Sequence, residues 1–350
     1  MSFNDILIAQ IRLHPSAQPQ DIVKLCYQAA YGVEHLLSNA DGVWEFLKCE
    51  YASVEPDDVP LAEQISDRFC RINLARWKHV GFPLQWLFRM FVLSATTESK
   101  DIDVFDECLQ TAEVLIEQGD MMCSPMQWRT YLKSYAEAGM GPVHHSTQYR
   151  MREKPAYRVV ANRYARLIPI LEQIFHRFLP GDQRCVIAID GRAAAGKSTM
   201  ASDLQKLIGA DTIHMDDFFL PMELRTEKRI AQPGGNVHYE RFAEEVLPFL
   251  SQSDGFSYRR FDCSKMDFNG ERVVGGAPVR IVEGAYSHHW AFGHYADITV
   301  FADVDPGEQM RRICERNGIH MAEIFQTRWI PLEEQYIAKY EVKQKADIVL

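Results

Sequence analysis

The sequence predicts an α/β protein: a parallel sheet with helices on both faces, preceded by a mainly α-helical N-terminal domain. Three observations predict it. The first half of the 350-residue chain repeats apolar residues at helical spacing, whereas the second alternates short β-branched runs with helical runs. At the head of the second half, directly after an apolar strand, Gly191-Arg192-Ala193-Ala194-Ala195-Gly196-Lys197-Ser198 fits G-x-x-x-x-G-K-[ST], the Walker A pattern.

In chain order, residues 21–39 place Ile22, Leu25, Cys26, Ala29, Val33, Leu36 and Leu37 on one helical face, with Pro19 just ahead of the helix. Further helices are expected over 43–51, 84–95, 104–118, 126–138 and 157–178, with Gly119 and Gly139 as stop signals. The run 179–184, Leu-Pro-Gly-Asp-Gln-Arg, reads as a linker. Strands follow over 185–190, 212–215, 279–283, 298–302 and 347–350. Helices are expected over 197–208, 239–250, 306–316 and 323–340, and a hairpin insertion over 256–262 and 272–274. Five strands alternating with helices give a five-stranded parallel sheet. The expected domains are thus 1–178, helical and of unknown role, and 185–350.

The net charge of −10 excludes little by itself, but its distribution does more. Residues 1–179 hold 18 basic and 22 acidic side chains, the remainder 20 and 26. Neither half has the basic excess that would release counterions from a nucleic acid, so no nucleic-acid partner is expected. Eight scattered cysteines without C-x-x-C spacing fit reduced thiols in the cytoplasm. No apolar run approaches the ~18 residues of a membrane span, and no membrane partner is expected. A homo-oligomer is compatible with the sequence.

The glycines of the Walker A run let the backbone curl so that successive N–H groups face phosphate oxygens, and the helix behind adds its positive end. Gly191, Ala194, Ala195, Gly196, Lys197, Ser198 and Thr199 are therefore the candidate ATP-binding residues. Lys197 would bridge the β- and γ-phosphates, and the Ser198 hydroxyl would coordinate Mg²⁺. His214-Met215-Asp216-Asp217-Phe218-Phe219 ends the second strand, where a carboxylate faces the same crevice. Asp216 could take the proton of an attacking hydroxyl. Ile281-Val282-Glu283-Gly284 ends the third strand, and Glu283, with Asp216 beside it, could hold Mg²⁺. On the helix after the fourth strand, Arg312 and Arg316 share a face at i, i+4 and could close over a triphosphate.

In this order the residues resemble the uridine kinase / phosphoribulokinase family of P-loop kinases, over residues ~184–350. The resemblance implies a P-loop NTPase fold, ATP as donor, Mg²⁺ as cofactor, and phosphorylation of a small-molecule hydroxyl. It places the catalytic aspartate on Asp216 and the acidic metal-site residue on Glu283. Its acceptor-binding hairpin falls on Tyr258-Arg259-Arg260-Phe261-Asp262, and its following-helix segment on Gly234-Gly235-Asn236-Val237-His238-Tyr239. Asp217, His238, Tyr258, Arg260 and Asp262 are then the candidate acceptor contacts. Uridine kinases carry Tyr-Asp-Phe in the hairpin where this chain has Phe261-Asp262-Cys263, and a fuller Arg–Asp lid than Arg311-Arg312-Ile313-Cys314-Glu315-Arg316-Asn317. A nucleoside, a vitamin or a sugar fits the same analogy. A different class, a nucleotide-driven switch with the helical half as effector, would hydrolyse ATP slowly without any acceptor.

The N-terminal half resembles no family. Trp44, Trp77, Trp86 and Trp128 suit core or interface anchors. His144-His145-Ser146-Thr147-Gln148-Tyr149-Arg150 is a dense polar and aromatic segment. With His35 or His79 it could form a metal or substrate site, or simply a hydrogen-bonded loop.

Overall fold

A computed structural model describes residues 2–33, 40–97, 101–121, 123–178 and 184–350. The chain forms two compact units, Met1–Arg166 and Leu167–Leu350. The boundary precedes the helix Ile168–Phe178, which packs on the sheet of the second unit. Of the expected linker only Arg184 is described, and His35, Leu36 and Leu37 also fall outside the described residues.

The first unit is mainly helical: α1 (Phe3–Leu13), α2 (Pro19–Tyr31), α3 (Ala40–Ser53), α4 (Leu74–Val80), α5 (Leu84–Thr97), α6 (Ile102–Gln118), α7 (Pro125–Glu137), α8 (Thr147–Glu153) and α9 (Asn162–Ala165). Capping is explicit in the sequence. Ser2 and Ser124 form capping boxes with Asp5 and Gln127, which satisfies first-turn N–H groups that the helix leaves free. Trp77 and Trp128 are fully buried and Trp86 nearly so.

Two expectations fail here. A three-stranded antiparallel sheet runs β1 (Ala62–Gln64), β2 (Phe69–Asn73), β3 (Tyr157–Ala161). The expected helix 157–178 therefore begins as a strand, turns through α9, and resumes as α10 (Ile168–Phe178). Val159, Val160 and Ala161 are all buried against β2, and β-branched residues gain more from that pleated contact than from a helix. The helix expected over 21–39 ends at Tyr31, with Gly32 as its cap.

The second unit holds β4 (Cys185–Gly191), β5 (Asp211–His214), β6 (Phe256–Asp262), β7 (Asp267–Val274), β8 (Val279–Glu283), β9 (Ile298–Ala302) and β10 (Ile348–Val349). Five of these form one parallel sheet in the order β10-β9-β4-β8-β5, and β6 and β7 pair as an antiparallel hairpin. All seven residues of β4 are buried, as a central parallel strand covered on both faces requires. Helices flank the sheet: α11 (Lys197–Ile208), α12 (Glu227–Ile230), α13 (Tyr239–Glu245), α14 (Pro306–Asn317), α15 (Ile319–Ile324), α16 (Ile330–Tyr340) and α17 (Val342–Lys345). This is a doubly wound α/β fold, a parallel sheet flanked by helices. The helix expected over 239–250 stops at Glu245, since Val246 leaves helical geometry (φ −124°) ahead of Pro248. The one expected over 323–340 is divided by a π-turn, Phe325–Trp329.

The order places β4 between strands reached by crossovers in opposite directions. Parallel sheets open a crevice at the carboxyl ends of their strands at such a switch point. The ends of β4, β5 and β8 all deliver candidate site residues there.

Candidate active site

The site begins with two glycines. Gly191 ends β4 at φ +135°, and a Cβ there would overlap the carbonyl of Ala302 on the neighbouring strand. Gly284 follows β8 at φ +131°, where a Cβ would meet the Cβ of Met215 at 2.8 Å. Both are places where only glycine fits, and both bring backbone to the head of the sheet. Between Gly191 and α11 the chain curls through Ala194 at φ +58° and Gly196 at φ +89°.

Lys197 opens α11 and is buried, with its ammonium folded over the loop. It donates to the carbonyls of Gly191 (2.6 Å) and Arg192 (2.9 Å). The Ser198 hydroxyl donates to Glu283 Oε2 at 2.9 Å, and His214 Nδ1 lies 2.6 Å from Glu283 Oε1. Glu283, buried at the end of β8, thus ties the helix behind the loop to the end of β5.

Asp216 and Asp217 are neighbours in sequence and opposites in space. Asp216 faces the crevice with its carboxylate accessible to solvent. Protein atoms around it raise its pKa, first by desolvation and then by the negative charge of Glu283, with Lys197 opposing. Asp217 turns inward and is buried. It accepts from the Tyr258 hydroxyl at 3.1 Å and from Arg272, and Arg260 approaches it at 3.8 Å. It fastens the β6–β7 hairpin to the end of β5.

A cavity of about 760 Å³ connects these groups. It gathers Ala194, Gly196, Lys197, Ser198, Thr199, Asp216, Glu283, Arg312 and Arg316. Arg312 donates to the Ala194 carbonyl at 3.1 Å and pairs with Glu308 at 2.7 Å, so the helix α14 touches the loop directly. Beyond Asp216 the cavity continues to Phe219, Arg225, Asn236, Cys263 and Met266.

Four of the candidate acceptor residues lie elsewhere besides Asp217. His238 caps α13 by accepting from Arg241 N at 3.3 Å, and burial lowers its pKa. Tyr258 is buried beneath Asp217, Arg260 reaches toward Asp217, and Asp262 closes a turn through Ser264 N at 2.9 Å. Those turn hydrogen bonds hold the Asp262 carboxyl near pKa 2. None of the five lines the cavity.

Two acidic residues at the site escaped the sequence. Asp190, one residue before the loop, is buried and accepts from Tyr286 N (3.0 Å), His288 N (2.9 Å) and the Tyr336 hydroxyl (2.8 Å). It locks the segment after β8 and the helix α16 onto β4. Glu333, on α16, accepts from Ala193 N at 2.8 Å and so reaches the loop between β4 and α11. Burial raises its pKa to about 7, against the pull of Lys197. Position 190 at a strand end carried a signal in its acidity within an apolar run, whereas Glu333 carried none.

Among the described residues no group of three or more His, Cys, Asp or Glu is placed to hold a metal. Ser198, Glu283 and Asp216 offer a different set, one hydroxyl and two carboxylates. An all-oxygen set of this kind suits a hard divalent cation, and the mutual repulsion recorded in the raised Asp216 pKa is what such a cation relieves.

No family model matches the sequence, and no curated protein matches it. Solved structures do. The chain is similar to a structure described as a possible uridine kinase from Bacillus stearothermophilus, with 18% identity over 53% of this chain and 98% of that one (TM-score 0.40). It is also similar to one described as a fructose transport system kinase from Silicibacter sp. TM1040, with 20% identity over 53% of this chain and 97% of that one (TM-score 0.42). Both likenesses span about half of this chain and concern fold.

Proposed function

We propose that the second unit is a phosphotransferase that moves the terminal phosphoryl group of ATP to a hydroxyl of a small molecule, with Mg²⁺ as cofactor. The observation that carries this is the placement of Lys197 and Asp216 in one cavity. Ala193, Ala194, Gly196, Lys197, Ser198 and Thr199 line one part of it, and Asp216 lines the same cavity.

The loop amides and Lys197 would cradle the triphosphate, and Arg312 and Arg316 would add positive charge from α14. Ser198, Glu283 and Asp216 would hold Mg²⁺, which supplies charge neutralisation for the phosphates when bound. The acceptor would enter beside Phe219, Arg225 and Asn236. As its oxygen bonds to phosphorus, its proton passes to Asp216 and the bond from phosphorus to the leaving diphosphate oxygen breaks. Asp216 would orient the hydroxyl and act as its general base. Positioning and charge carry most of such a reaction, so a deep cavity with few reactive groups is sufficient.

The test is an ADP-release screen over nucleosides, vitamins and sugars. ADP release that depends on one acceptor supports phosphotransfer. Slow release that no acceptor accelerates would instead indicate a nucleotide-driven switch.

A further inference from the structure

A second cavity lies wholly within the first unit and measures about 750 Å³, within the range of metabolite sites. Its charge is one-sided. Among the described residues Lys24, Arg150, Lys154 and Arg158 line it against one carboxylate, Glu50, which is already paired to Arg158 at 2.6 Å. Arg150 and Lys154 make no ion pair among the described residues. Among the described residues Lys24 donates to the Val143 carbonyl, at 2.9 Å. Burial, and then the charge of Arg71, lowers its pKa to about 8, with Asp21 pulling the other way.

Behind these cations stands a fixed polar wall. His145 is buried, with Nδ1 2.8 Å from Asp21 and Nε2 2.6 Å from the Tyr157 hydroxyl. The carboxylate can only accept, so Nδ1 carries the ring proton and Nε2 accepts from Tyr157. Gln28 joins Tyr157 to Arg71, a guanidinium only 3% exposed that donates to Gln28 Oε1 at 2.8 and 3.1 Å. Buried polar chains of this kind hold a site rigid. Val33 and Phe91 add apolar lining. Lys154 adds a further mark: it ends α8 in the left-handed region at φ +44°, where glycine is the easier residue.

We propose that this cavity binds a phosphomonoester of a small organic molecule, its phosphoryl group held by Lys24, Arg150 and Lys154 and its carbon skeleton against Val33 and Phe91. Three cations that make no ion pair among the described residues match a group carrying nearly two negative charges and three acceptor oxygens better than a monocarboxylate. The site is independent of the activity proposed for the second unit.

The test is calorimetric titration of the full chain with phenyl phosphate, benzoate and inorganic phosphate, in a Lys197→Ala background that disables the other phosphate site. Phenyl phosphate should bind about tenfold more tightly than benzoate, and its affinity should fall about tenfold or more when Arg150→Ala and Lys154→Ala are added. Inorganic phosphate should bind more weakly than phenyl phosphate, since it leaves the apolar lining uncovered. Lys154→Gly relieves the left-handed strain, so it should lose affinity with an unchanged or higher melting temperature, which separates lost contact from lost fold. Equal affinities with and without Arg150 and Lys154, benzoate matching phenyl phosphate, or no heat from phenyl phosphate at millimolar concentration would each overturn the proposal.

Discussion

Glu333 is the residue whose chemistry is most exposed to experiment. Its folded pKa lies near 7, above the ordinary glutamate value of 4.5, because burial penalises its charged form. The protonated form therefore favours the folded state. That contribution is fully present below about pH 4.5 and is lost as pH rises through about 7, and it is on the order of 3 kcal/mol. Glu333→Gln should flatten the fall in stability over that window, and urea midpoints at a series of pH values will check it. For Lys197→Ala, turnover should drop by roughly 10²–10³-fold, the cost of one lost charge-stabilising donor. Asp216→Asn should retain nucleotide affinity and lose roughly 10²–10⁴ in kcat, the share of a positioned base. Normal transfer by Asp216→Asn would end its assignment. These residues were legible because motif spacing fixes what a loop and a strand end can hold. Glu333 was not, since it meets Ala193 from 140 residues away. Nor could the pair Asp216-Asp217 reveal which carboxylate faces the cavity, because a 3-10 turn, Met215–Phe218, decides it.

At the scale of elements, the hairpin β6–β7 depends on Asp217. The Tyr258 hydroxyl, Arg272 and Arg260 all converge on that carboxylate, and Arg241 donates to its backbone carbonyl. Arg272 and Arg260 are partly exposed, so water screens them and removing their common partner costs less than the ~3–5 kcal/mol of a fully buried pair. Asp217→Ala should therefore speed amide exchange across Phe256–Val274 more than across β4. Uniform exchange rates would show that the hairpin is held by its own packing. Strands β4, β8 and β9 of the parallel sheet were readable because each is a short, largely apolar run between turns. The strand β3 was not, because Tyr157–Ala161 continues into helical spacing and its partner β2 lies far back in the sequence. Local periodicity cannot report a pairing made at that distance.

At the scale of the molecule, two compact units predict a divided response to nucleotide. Ligand at a hundred times its dissociation constant stabilises what it binds by about 2.7 kcal/mol. With Mg·ATP, exchange protection should rise in Leu167–Leu350 and stay unchanged in Met1–Arg166; protection confined to the first unit would contradict the location of the site. The parallel sheet and its loop were predictable from alternation and one motif, whereas the polar network of the first unit joins residues as distant as Asp21 and His145. The most direct measurement is a calorimetric titration of the folded chain with Mg·ATP, beside its Lys197→Ala variant. Saturable binding in the parent, weakened at least about tenfold in the variant, is the predicted result. No heat with any purine triphosphate, or equal affinity in the two proteins, would contradict it.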